Sequence, residues 1–193
     1  MPIAPDAKDW TWVLERSCPD CGFDPATTAF EAVPGLVRDS SDRLRAALDR
    51  SDSRVRPDDS TWSTLEYAAH VRDVCRIFEH RLDIARTGGA RPGPVIAAYD
   101  TTVTVADNGV PMFADWDQDA TALAANYPAA ETAVVAAELA AAAETAARAF
   151  ESVPVTERDR AALRSNGSAF TVESMARYFG HDLVHHVHDV ERV

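Results

Sequence analysis

A chain of 193 residues is the size of one domain and can bury roughly 70% of its unfolded surface, so it needs neither disulfide nor structural metal to fold. Its 31 acidic against 19 basic residues give a formal charge of −12 with no basic stripe, which excludes binding to a nucleic-acid backbone as the main activity. Apolar residues make up 46% and aromatics 8%, alanine is abundant, and the long proline-free stretches hold few β-branched runs, a composition that favours helix.

The N-terminal stretch MPIAPDAKDWTWVLERS has neither a positive n-region nor an apolar h-region. The longest apolar run, in AVVAAELAAAA, is interrupted by Glu138 and falls short of the roughly 20 residues of a membrane span. The expectation is a soluble, cytoplasmic protein. Residues 1–26 read as an irregular segment carrying Pro2, Pro5, Pro19 and Pro25, with an apolar patch at Trp10, Trp12, Val13 and Leu14. Residues 27–193 read as a single domain. In the motif CPDC, Cys18 and Cys21 form half of a four-ligand zinc site, a redox dithiol, or two ordinary cysteines in a turn. Cys75 belongs to no second pair, so a four-cysteine site within one chain is excluded, although histidines could complete one. This usage suits a reducing compartment better than a disulfide framework.

Thr27 or Thr28 can cap a first helix running to about Arg50, with Phe30, Val33, Val37, Leu44 and Leu48 at helical spacing and a kink or restart at Pro34–Gly35. Ser60 or Thr61 opens a second helix through TWSTLEYAAHVRDVCRIFEHRLDIART, closed by Gly88 and the GGARPGP segment. His70 sits beside its apolar stripe. A long crossover follows, with strand-like alternation at Thr102–Val105 but no evident partner strand, and it is expected to pass near the mouth of a site. Asp115, Asp117 and Asp119 lack the glycine and distal glutamate of a calcium loop and read as a capped helix start. Helical patterning resumes through DATALAANY and, after Pro128, through AAETAVVAAELAAAAETAARAFESV. VPVTERDRAALRSNGSAF reads as a loop with a tight turn at Asn166–Gly167, and Thr171 caps the last helix.

That helix carries FGHDLVHHVHDVERV, in which four of the chain's six histidines fall within eight residues. His181, His185 and His188 project within about 60° of one another, on the side opposite Val172, Met175, Phe179 and Leu183. Periodicity leaves two readings open: a solvated polar stripe, or an imidazole face that chelates a divalent ion with help from His70.

TWSTLEYAAHVRDV together with FTVESMARYFGHDLVHHVHDV resembles the DinB-like superfamily of metal-binding four-helix bundles, which includes mycothiol- and bacillithiol-dependent S-transferases and mycothiol-dependent maleylpyruvate isomerases. The resemblance implies an all-α, antiparallel four-helix bundle with a long crossover. It carries the family's metal triad onto His70, His181 and His185 and turns them toward a cavity, with zinc or nickel as the ion. Some relatives have glutamate at the first position of the C-terminal pair; His181 places this chain nearer the all-histidine transferases. The implied function is a metal-dependent transferase using a low-molecular-weight thiol such as mycothiol against an electrophilic small molecule, with a non-catalytic metal-containing binding or stress-response bundle as the alternative. Tyr178, Arg177 and Glu66 are the candidate catalytic residues; Glu66, Asp73, Tyr178 and Asp182 are candidates for orienting the ligands, and Arg177 for holding an anionic group. His188 has no ligand role in this pattern, and His186 is a packing or orienting residue. Expected partners are the small-molecule substrate and the thiol, with neither nucleic acid nor membrane; relatives often form a dimer.

Overall fold

The computed structural model describes residues 9–192, so the part of the N-terminal segment that holds Pro2 and Pro5 lies outside the described residues. Four long helices dominate: α1 (Val33–Ala47), α2 (Thr64–Thr87), α4 (Thr132–Glu151) and α5 (Val172–Glu191), with a short α3 (Gln118–Ala124) in the crossover. Helices α1 and α2 each pack against both α4 and α5. One core joins them, from Phe30 and Val33 through Leu65, Phe78 and Leu139 to Phe179 and Leu183.

The helix boundaries follow local chemistry. Pro34 does not kink α1, because the helix begins at Val33 and puts the proline in its first turn, where the missing N–H is not needed. A short 3-10 turn, Phe30–Ala32, leads into it. The second helix starts at Thr64, later than Ser60 or Thr61 would give. Ser63 accepts from the Glu66 amide and Glu66 reaches back to the Ser63 amide, a reciprocal cap that the earlier serine and threonine cannot make. Gly88, in the left-handed region at φ 78°, ends it. Asp117 caps α3 as its spacing suggests, accepting from the Ala120 amide.

The all-α expectation is corrected by a small four-stranded sheet, ordered β1 (Thr104–Val105), β2 (Pro111–Phe113), β3 (Ala161–Arg164) and β4 (Ala169–Thr171). β1 and β2 pair antiparallel, β2 and β3 parallel with Met112 opposite Leu163, and β3 and β4 form a hairpin with Leu163 opposite Ala169. The stretch expected as a plain loop before the last helix therefore supplies the partner for the crossover. β4 ends at Thr171, whose side chain then accepts from the Ser174 amide and caps α5, so the sheet fixes where the histidine helix begins.

Candidate metal centres

Helix α5 advances about 100° per residue, so its consecutive i, i+4 pairs point to different neighbours. Asp182 and His186 turn inward toward α2. His181 and His185 turn toward the N-terminal segment. The expected triad is therefore divided: His70 gathers with Asp182 and His186, and His181 and His185 gather with Cys18 and Cys21, the donor atoms of each group lying within 4.8 Å of one another.

In the inner group, Nε2 of His70 is 3.0 Å from Nε2 of His186, whose Nε2 is also 3.1 Å from Oδ1 of Asp182. Two imidazole nitrogens bound to one tetrahedral ion are about 3.3 Å apart, so the spacing fits a shared cation. Nδ1 of His186 faces Oδ2 of Asp189 at 3.4 Å, the outer carboxylate that commonly orients a ligating imidazole. His70 is fully buried, its ring stacked on Trp116 at 5.1 Å and 5° and set against Trp62 at 5.1 Å, and its Nδ1 has no hydrogen-bond partner. Burial and the neighbouring His186 hold His70 down at about 3, so it is a neutral ring with a lone pair to give. Burial alone would also lower His186, but hydrogen bonds and charge from Asp182 and Asp189 outweigh it and raise it to about 9. Asp182, which burial would raise, is instead held at about 2 by that imidazole.

The outer group joins two distant pieces of chain. Cys18 Sγ lies 3.7 Å from Nδ1 of His185, and Cys18 and His181 are 2% and 4% exposed. Nε2 of His181 is buried without a hydrogen-bond partner. Burial pushes His181 down to about 4, leaving it neutral. Burial likewise drives the Cys21 thiol up to about 11, against an opposing backbone hydrogen bond from Phe23. The cysteines are free.

Both α5 pairs border a cleft of about 810 Å³, whose walls include Trp10, Trp62, Arg81, Trp116, Arg164 and Tyr178. The crossover forms part of this wall, as expected, through Asp115–Asp119. Trp116 is fixed over His70 because its Nε1–H donates to Thr121 Oγ1 at 2.8 Å, and that hydroxyl donates to the Ala97 carbonyl at 2.8 Å.

A family model described as the DinB superfamily matches residues 35–190. The chain belongs to the DinB superfamily. No curated protein and no solved structure matches it. The DinB match spans all five α5 and α2 donors but begins after Cys18 and Cys21. The superfamily is generally metal-binding, and the described residues of this DinB chain offer two possible ligand groups.

Of the expected catalytic residues in this DinB protein, Tyr178 lines the cleft, and burial first of all raises its phenol so that it stays protonated. Arg177 is used elsewhere, donating to the Thr28 carbonyl at 3.1 Å and to Glu173 at 2.7 Å. Glu66 caps α2 and pairs with Arg56. Asp73 binds Arg72, Arg76 and the Tyr127 hydroxyl, away from the histidines. The sequence reading missed the pair Asp182 and His186. The signal was present: His186 lies three residues from Leu183, four from Val190 and seven from Phe179, on the buried stripe that also faces His70.

Proposed function

We propose that this protein is a divalent-metal-dependent transferase, in which His70, Asp182 and His186 hold zinc or nickel and a low-molecular-weight thiol such as mycothiol attacks an electrophilic small molecule. The reading takes the four long helices as an antiparallel four-helix bundle. The observation that carries it is the meeting of two imidazole Nε2 atoms 3.0 Å apart beside the Asp182 carboxylate, next to an open cleft. Three protein ligands leave a coordination position for a reactant. An ion bound there would lower the pKa of a thiol or water and stabilise negative charge on substrate oxygen.

The remaining roles fall to the chain's own side chains. Asp189 orients His186 through Nδ1, and Trp116 and Trp62 cover His70 and keep water from its far side. Tyr178 is a protonated hydrogen-bond donor on the cleft wall. Arg81 and Arg164, in place of Arg177, put positive charge there for an anionic substrate group.

The test is metal analysis of the purified full chain, followed by thiol consumption with mycothiol, bacillithiol or glutathione and a model electrophile. His70→Ala and His186→Ala are expected each to lose the cleft metal and at least ~100-fold in turnover. Metal-replete protein inert with all three thiols favours the non-catalytic binding bundle instead.

A further inference from the structure

We propose that Cys18, Cys21, His181 and His185 form a second, structural zinc site that fastens the N-terminal segment to α5. The donor set is two thiols and two imidazoles from elements about 160 residues apart in sequence, converging within 4.8 Å. Zinc bonds of about 2.3 Å to sulfur and 2.0–2.1 Å to nitrogen put S and N about 3.6 Å apart across a tetrahedron. Cys18 Sγ and His185 Nδ1 are 3.7 Å apart.

The chain on both sides is shaped for this arrangement. Around CPDC the Gly22 amide donates to the Cys18 carbonyl at 2.9 Å and the Cys18 amide to the Phe23 carbonyl at 2.8 Å. Gly22 adopts φ 75°, the left-handed conformation that lets the turn close and brings both sulfurs to one side. On α5 the two histidines sit one turn apart, and the unpartnered, buried Nε2 of His181 is an orphan polar atom of the kind a ligand satisfies. Gly180 completes the fit: a Cβ there would meet Phe23 at 3.4 Å, so the segment lies close against the helix. Trp10 covers both rings, at 5.8 Å from His181 and 5.1 Å from His185.

The chemistry differs from that of the inner group. Zinc entry displaces the two thiol protons to solvent and leaves no change in oxidation state. Two thiolates neutralise the 2+ ion, so the centre is uncharged and can be buried. Four protein ligands close the coordination sphere, which makes the site a fastener and not a catalyst. Residues 9–26 otherwise contain one five-residue 3-10 turn, Trp10–Leu14, so a metal clamp supplies the order that secondary structure does not.

The experiment loads reduced, full-length protein with zinc or cobalt. Two equivalents of zinc per chain are expected, falling to one in Cys18→Ser/Cys21→Ser and to one in His70→Ala/His186→Ala. The cobalt protein should show a thiolate-to-cobalt charge-transfer band in the wild type and in the His70→Ala/His186→Ala variant, and none in the cysteine variant. X-ray absorption on the zinc kept by the His70→Ala/His186→Ala variant should give two sulfur and two nitrogen neighbours at about 2.3 and 2.0 Å. A wild-type cobalt protein without the band overturns the proposal, and so does an unchanged zinc content in the cysteine variant. Because the wild-type spectrum needs no substitution, a cysteine variant that fails to fold leaves the outcome decided. Loss of the cleft metal alone would remove only the sulfur-free equivalent, so the two sites fail separately.

Discussion

His80 is buried on α2 with Nε2 unpartnered, outside both histidine groups. Burial lowers its pKa below the ordinary value near 6.5, partly offset by a hydrogen bond with the Thr101 backbone. The folded chain thus holds this ring neutral at a pH where the unfolded chain protonates it. Stability from that difference is present above about pH 6.5 and is lost as pH falls toward the lowered folded value. Urea midpoints measured from about pH 7.5 down to pH 5 should fall more steeply in the wild type than in His80→Gln; parallel profiles would contradict the assignment. At this scale the ligands were half legible. The H-x-x-x-H spacing of His181 and His185 is visible in one dimension, but the equal spacing of Asp182 and His186, one residue on, is told apart only by its phase with Phe179, Leu183 and Val190. The role of Cys18 could not be chosen from sequence, because its partner His185 is 167 residues away.

The reciprocal cap of α2 turns a candidate catalytic residue into a structural one. Glu66 accepts from the Ser63 amide and hydroxyl at 2.9 and 2.8 Å while pairing with Arg56, and it is almost wholly buried. Glu66→Gln should cost about 1–3 kcal/mol in denaturant unfolding, the range for a hydrogen bond to a buried charge, while metal content and thiol turnover stay at wild-type levels. A selective loss of turnover would return Glu66 to the chemistry. Long elements were readable because periodicity and end signals agree: Gly88, Asp117 and Thr171 each terminate or cap where their chemistry requires. The sheet was not readable. Its strands are two to four residues long, and β2 pairs in parallel with β3 some 50 residues later, so no local alternation identifies the partner. Only the Asn166–Gly167 turn announced the hairpin.

The core is continuous from the N-terminal turn at Phe30 through all four long helices to the sheet residues Phe113 and Phe170. Phe150 lies at its crossing, fully buried, with ring centroids 6.2 Å from Phe30 and 5.4 Å from Phe179. Phe150→Ala should therefore destabilise the whole molecule by about 3–5 kcal/mol, and tryptophan fluorescence and far-ultraviolet circular dichroism should still report one coincident transition. Separate transitions would mean that the sheet or the N-terminal segment unfolds on its own. The same core sets the angular setting of α5. One residue inserted between Gly180 and His181 would rotate everything downstream by about 100°, carrying His181 and His185 to the places of Asp182 and His186 and producing an all-histidine triad with His70. It would also carry Asp182 into the buried place of Leu183 and leave the inserted residue and Val184 opposite the cysteines. The last helix thus works like a key cut on two adjacent edges: its teeth are interchangeable in spacing, and the apolar edge decides which lock each set meets.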